Sequence, residues 1–402
     1  MHWMASAAGR ADLLNTHQDY KGLPVVSAAL NMRTRIYARE YTSGLIKIMS
    51  QTLGQEDEFG VPDVGEQLEL RPGNWFGNYA RAVTQVLLSS RFHPQSVGIQ
   101  AEVRSEVPIS SGLASSAALE VAFASLLNRV FSLGLSRREI AETSYKAERE
   151  VMGIPCGRLD QYGSALGGLT IIENRPPYHT EVLKGKGLFF VVVDSGIRHA
   201  TSSIHPVRQK EMQAATEQLR QAGLSIPEKY EQVKWEELSE ESLAAYLSSI
   251  DETAKKRVVF TIRMQRSTEV AISILKRKFV PGLPLPQGLK LSSDDPLTQL
   301  GEIMDYQHVL LRDYYEVSTS EVEKIREAMK EAGCLGVKIS GAGMGGAIVG
   351  LIRRPDEGKT ILSAALKAGA AKGWVSPVGG GELSRGRPVE KLSHDRRSLP
   401  FG

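Results

Sequence analysis

Pro108-Ile109-Ser110-Ser111-Gly112-Leu113-Ala114-Ser115-Ser116-Ala117-Ala118 is the stretch on which the fold class turns. Before it, Val97 to Val107 reads as a strand. After it, Leu119, Ala122, Phe123, Leu126, Leu127 and Val130 recur at i, i+3, i+4 and i+7, the spacing of an amphipathic helix. A strand joined to a helix through small residues is a building unit of mixed α/β (α+β) folds. Small side chains also let backbone N–H groups close around an anion, and the helix dipole favours negative charge there. The serine hydroxyls suit two jobs, capping the helix or, for one of them, ligating Mg²⁺ that bridges phosphates. On this segment alone both readings stay open.

Outward from the loop, Ser136 to Val151 predicts a helix stopped at Gly153-Ile154-Pro155. Asn74 to Leu88 predicts another, Pro24 to Glu40 reads as paired strands, and Leu188 to Asp194 as a buried strand. Beyond His205, charged amphipathic helices are expected over 209–222, 228–250, 251–278, 296–309 and 321–332, the glutamate-rich ones at 228–256 as a solvated face. Gly336 to Ser340 and Ala347 to Leu351 read as strands around a glycine-rich turn. The expected organisation is one domain over 1–195, a second over 196–375, and a mobile tail at 376–402 carrying Gly379-Gly380-Gly381.

The 402 residues are 42% hydrophobic and 24% charged, which excludes disorder for most of the chain. Lys+Arg 49 against Asp+Glu 46 leaves a net charge of +3, too small to imply nucleic acid or a membrane surface. Two cysteines, Cys156 and Cys334, make neither a zinc cluster nor a disulfide scaffold, and they read as packing residues. The longest aliphatic run, Leu188 to Val193, is far short of the ~20 residues of a membrane helix. Met1 to Arg10 has no secretory pattern, so a cytoplasmic protein, monomer or homodimer, is expected.

Two glycine signals fail on context. Gly341-Ala342-Gly343-Met344-Gly345-Gly346 spells GxGxxG, but strand-like Ala347-Ile348-Val349 follows where dinucleotide binding needs a helix. Gly358-Lys359-Thr360 resembles the end of a P-loop whose first glycine would fall on Arg353.

Four further segments accompany the loop. Gly9-Arg10-Ala11-Asp12-Leu13-Leu14-Asn15-Thr16-His17-Gln18-Asp19-Tyr20 is dense in hydrogen-bonding groups and resembles the pattern GRVNLIGEHTDY. Residues 153–161, from Gly153 to Gln161, resemble GxPCGxxDQ. Residues 340–346 resemble TGAGxGG, and Leu311 to Ser318 resembles LRDDYEVS. With the loop as PxxxGLxSSA, the five segments occur in order over about residues 9–350, and together they resemble the GHMP kinase superfamily, galactokinases above all. The resemblance implies a two-domain fold, ribosomal-protein-S5-domain-2-like then ferredoxin-like, with the site in the cleft between. It also implies an ATP-dependent sugar 1-kinase using ATP and Mg²⁺.

By that resemblance Asp160 is the base facing the anomeric hydroxyl and Arg10 the cation beside it, an arrangement that offsets transition-state charge. Ser116 and Glu148 match the Mg²⁺ ligands. Pro108, Ser110, Ser111, Gly112, Leu113, Ala114 and Ser115 complete the phosphate loop, and Trp75 matches an adenine-stacking tryptophan. His17, Asp19 and Gly157 match sugar contacts.

Two departures bear on the sugar. Thr16 stands where galactokinases carry a Glu that binds the C6 hydroxyl, and His205 stands where they carry a sugar-binding Tyr. Losing the Glu charge suggests that a hexuronic acid is accepted beside a galactose-like hexose, with His205 supplying positive charge at mildly acidic pH. A silent sugar- and ATP-binding regulator and a kinase for another small alcohol are the alternatives. Retention of Arg10, Ser115, Ser116, Glu148 and Asp160 speaks against the first, and the 9–20 and 311–318 segments speak against the second.

Overall fold

Runs of small and β-branched residues, Ala5 to Gly9 and Val25 to Ala29, lie in two long paired strands, β1 (His2–Leu14) and β2 (Val25–Glu40). The computed structural model describes residues 2–73, 75–89, 97–183, 185, 187–197, 201–277 and 284–385. A hairpin of β3 (Leu45–Ser50) and β4 (Gln55–Gly60) follows, then α1 (Gly77–Leu88) and β5 (Ile99–Ser105). Next come α2 (Ser115–Val130), α3 (Arg137–Lys146), α4 (Leu159–Leu166), β6 (Leu169–Ile172) and β7 (Thr180–Leu183). A capping box between Ser136 and Glu139 starts α3, and the chain widens into a π turn over 147–151 before Gly153. The second half runs β8 (Phe189–Asp194), α5 (Thr201–Gln221), α6 (Glu240–Leu247), α7 (Glu252–Leu275), α8 (Pro296–Asp313), α9 (Ser320–Glu331) and β9 (Gly336–Ser340). It closes with β10 (Ala347–Ile352), α10 (Gly358–Lys367), β11 (Lys372–Pro377) and β12 (Leu383–Arg385).

The first sheet has the order β12-β1-β2-β5-β3-β4, with β6 pairing the start of β2 and β7 pairing β6. Among the described residues its one parallel pair is β3 with β5, connected through β4 and α1. The second sheet is antiparallel with the order β11-β8-β10-β9. Counted within that sheet the order is 4-1-3-2, the ferredoxin-like arrangement. One apolar cluster joins the halves: Ala11, Leu13 and Val26 of the first sheet meet Phe190, Val192 and Val349 of the second, with Val270 and Ile303 from α7 and α8. That shared core sets the ends of β1 and β9 side by side, and the site lies there.

Several expectations change. The boundary expected near residue 195 falls one strand late, because Phe189–Asp194 sits inside the second sheet. The expected tail is anchored over 376–385: Ser376 lies in β11 and Leu383–Arg385 pairs with Met4 to Ser6, while 386–402 lie outside the described residues. The helix expected over 228–250 is two short 3-10 turns and α6, because Trp235 and Val233 turn inward onto Met212, Leu243 and Val258 instead of lining a solvated face. The glycine-rich turn at 341–346 runs into β10, the strand context expected for it.

Candidate active site

Alternation along β1 puts Arg10 and Asp12 on the same face. The turn that follows uses left-handed backbone at Asn15 (φ 66°) and His17 (φ 64°) to fold the polar run over the same cavity. That cavity, about 270 Å³, brings together Arg10, Thr16, His17, Asp19, Ser110, Gly112, Ala114, Ser115, Ser116, Glu148, Gly157, Asp160 and His205 from the expected set. Pro108, Ser111, Leu113 and Trp75 do not line it. Ser111 donates to the Pro108 carbonyl (2.9 Å) and Leu113 is fully buried, so these two hold the loop's shape. Trp75 packs against Phe76, ring centres 5.6 Å apart, with the Arg71 guanidinium 5.2 Å from its own.

The loop decides between its two readings. Ala114, left-handed at φ 60°, occupies the N-cap position of α2, and no side chain caps the helix. The serine-cap reading therefore falls, and the helix amino terminus is open towards the cavity. Gly112 (φ +80°) explains one glycine: a Cβ there would stand 2.9 Å from the Ser340 carbonyl oxygen. The turn after β9 thus buttresses the loop from the second half of the chain.

Arg10 connects loop to acid. Its Nη1 donates to the Gly112 carbonyl (2.6 Å), while Nε (3.0 Å) and Nη2 (2.6 Å) both donate to Oδ1 of Asp160. Oδ2 of Asp160 has no donor among the described residues and is free to accept a proton. Glu148, buried beside the Asp160 carboxylate, has its carboxyl pushed up to about 7 by burial first and that neighbouring charge second. It hydrogen-bonds Ser116 and Gln161. A hydroxyl and a carboxylate are the hard oxygen donors Mg²⁺ takes, and a cation would relieve the Glu148–Asp160 repulsion, so this pair fits the ion. Among the described residues no group of three or more His, Cys, Asp or Glu side chains is suited to a metal. Cys156 lines the cavity with its thiol pushed up by burial and by Glu148, as a packing residue and not a nucleophile.

On the opposite side, Gly157 exists for Asp19: a Cβ there would meet Asp19 Oδ2 at 2.1 Å. His17 Nε2 faces the Ala342 carbonyl (3.0 Å), so it carries the proton, and Nδ1 accepts from the Tyr20 hydroxyl (3.0 Å). Both nitrogens are thereby used, leaving the ring to line the cavity. His205 lies beside it, ring centres 5.0 Å apart and planes tilted by 54°, and burial lowers its pKa, which works against the positive charge expected of it at mildly acidic pH.

Sequence reading missed Asp12 and Lys338. Asp12 lines the cavity 4% exposed, and burial raises its carboxyl to about 6 against the opposing pull of Lys338 and Arg10. Lys338, fully buried on β9, donates to the Thr16 hydroxyl (2.8 Å) and to the Asp12 and Ile339 carbonyls. The expectation that Thr16 clears this side of negative charge therefore fails, since Asp12 stands next to it and shares a hydrogen bond with it. The signal was available: the pattern GRVNLIGEHTDY has Asn where this chain has Asp12.

Residues 78–168 match the GHMP kinases N terminal domain, 295–371 the GHMP kinases C terminal, and 2–40 the galactokinase galactose-binding signature. A galactokinase of Roseiflexus sp. (strain RS-1) is 30% identical over 361 residues, covering 88% of this chain and 84% of that one. The chain belongs to the galactokinase family of GHMP kinases. A second family member, the galactokinase of Lactococcus lactis subsp. cremoris (strain MG1363), is 28% identical over 86% of this chain and 81% of its own. The solved Lactococcus lactis galactokinase, complexed with galactose, superposes with a TM-score of 0.77 at 26% identity over 95% of both chains. As a galactokinase-family protein the chain is an ATP-dependent sugar kinase. No helix among the described residues is long and apolar enough to cross a membrane.

Proposed function

We propose that this kinase transfers the terminal phosphoryl group of ATP to the anomeric hydroxyl of a galactose-like neutral hexose, giving sugar 1-phosphate and ADP. The observation that supports this reading most is the Arg10–Asp160 pair, which shares one cavity with the uncapped amino terminus of α2. Asp160 Oδ2 accepts the hydroxyl proton as the sugar oxygen attacks phosphorus and the bond to ADP breaks. Arg10 keeps Asp160 oriented and offsets charge growing on the transferring group. The loop amides and the α2 dipole hold the phosphates in line, and positioning supplies most of the acceleration in such reactions. Mg²⁺ held by Ser116 and Glu148 would neutralise phosphate charge.

The test is ADP release from purified protein with ATP, Mg²⁺ and a panel of hexoses, with the product's phosphorylated position read by NMR. Sugar-dependent ADP release with phosphate on the anomeric oxygen is expected. Binding of sugar and ATP without turnover would instead favour the silent regulator.

A further inference from the structure

The unpaired polar atoms of the cavity say what kind of ligand it takes. Lys338 spends its three protons on Thr16 Oγ1 and the Asp12 and Ile339 carbonyls, so its charge is present without a free donor. Thr16 accepts from Lys338 and shares its remaining bond with the Asp12 carboxylate. Both His17 nitrogens are bonded, and Arg10 is held by Asp160 and Gly112. Beside Asp160 Oδ2, which faces the reacting hydroxyl, a second acceptor stands open: Asp12 Oδ1 is buried with no partner among the described residues, on a side chain that lines the cavity. A buried carboxylate oxygen left without a donor is costly, and a ligand hydroxyl is the donor the cavity lacks.

We infer that Asp12 accepts a hydrogen bond from a hydroxyl of the sugar and thereby sets a preference for neutral hexoses over acid sugars. The inference rests on the sugar-kinase reading above. Around Asp12, burial and the Asp19 charge oppose ionisation, while Lys338 and Arg10 favour it. With every Lys338 proton already bonded, a sugar carboxylate placed here would face the Asp12 carboxylate with no free N–H donor to bind it, whereas a hydroxyl can donate to Asp12. Position 12 thus supplies an acceptor on the side where position 16 carries no carboxylate, and Lys338 is its buried counter-charge.

The experiment measures kcat/KM for galactose, its 2-, 3-, 4- and 6-deoxy analogues and galacturonate in wild type, Asp12→Ala and Asp12→Asn. Asp12→Ala is expected to lose 10- to 100-fold on galactose and on every deoxy sugar but one, and less than 3-fold on the sugar lacking the bonded hydroxyl. Asp12→Asn, which keeps the shape, is expected to raise the galacturonate-to-galactose ratio at least 100-fold. Ratios within one variant cancel a general folding defect. A uniform loss across all sugars, or wild-type galacturonate turnover equal to that of galactose, overturns the assignment of Asp12 while leaving the sugar-kinase reading in place. Wild-type turnover of no sugar overturns both.

Discussion

Asp160→Asn tests the chemistry with the least disturbance of shape. Both Arg10 bonds fall on Oδ1 of Asp160, at 2.6 and 3.0 Å. An arginine only donates, so the asparagine carbonyl must take the Oδ1 position and the amide NH₂ must take that of Oδ2. The atom facing the substrate changes from acceptor to donor, and the proton has nowhere to go. Loss of a positioned general base typically costs ~10²–10⁴ in rate, or about 3–5 kcal/mol of barrier at 1.36 kcal/mol per decade. Stability should change much less. The Asp160 side chain is 31% exposed, so solvent screens the pair, both hydrogen bonds survive in neutral form, and about 1 kcal/mol is the expected loss. For 402 residues that corresponds to a Tm drop of roughly 1–2 °C. Coupled ADP release gives kcat, and a thermal melt gives the fold. The reasoning is refuted by turnover within tenfold of wild type, or by a melt so depressed that inactivity reflects unfolding.

Three further outcomes follow from particular contacts. Ser116→Ala removes one of two protein oxygens suited to the ion, so KM for MgATP should rise about tenfold and fall back as Mg²⁺ is raised; wild-type ATP and Mg²⁺ dependence would exclude that role. Gly157→Ala puts a methyl 2.1 Å from Asp19 Oδ2, and the displaced carboxylate should raise the sugar KM while Tm stays within a few degrees, an unchanged KM showing that Asp19 does not touch the sugar. Because the Asp12 carboxyl is raised from 3.8 to about 6, the folded chain holds its proton longer than the unfolded chain, and stability from this group falls as pH rises from about 4 to 6. Asp12→Asn should therefore flatten the fall in Tm that wild type shows between about pH 4 and 6, so that the difference between the two melts changes with pH over that range; a pH-independent difference would count against a raised carboxyl.

Local pattern was enough for those parts of the molecule whose signal lies within a dozen residues. Helical periodicity after Ser116, the stop at Gly153-Ile154-Pro155 and the alternation of β2 follow from backbone stereochemistry and burial of one face, so α2, α3 and β2 were legible. The strand expected directly after the glycine-rich turn was legible for the same reason. Most expected site residues lie together because they sit in short segments of distinctive composition, each carrying its own turn geometry. What the sequence could not decide were pairings across hundreds of positions. Lys338 reads as one polar residue in a short strand, and only the packing of β9 against β1 brings its ammonium to Thr16, 322 residues away. Asp12 reads as a spacer until the fold buries it and leaves one oxygen without a donor. Whether Ser115 and Ser116 cap their helix depended on the left-handed turn at Ala114, and the placement of β8 and β12 depended on which sheet edge lay open to receive them. Charge and hydrogen-bond satisfaction are sums over neighbours in space, so the proposal of a preference for neutral sugars could be framed only once the tertiary structure supplied those neighbours.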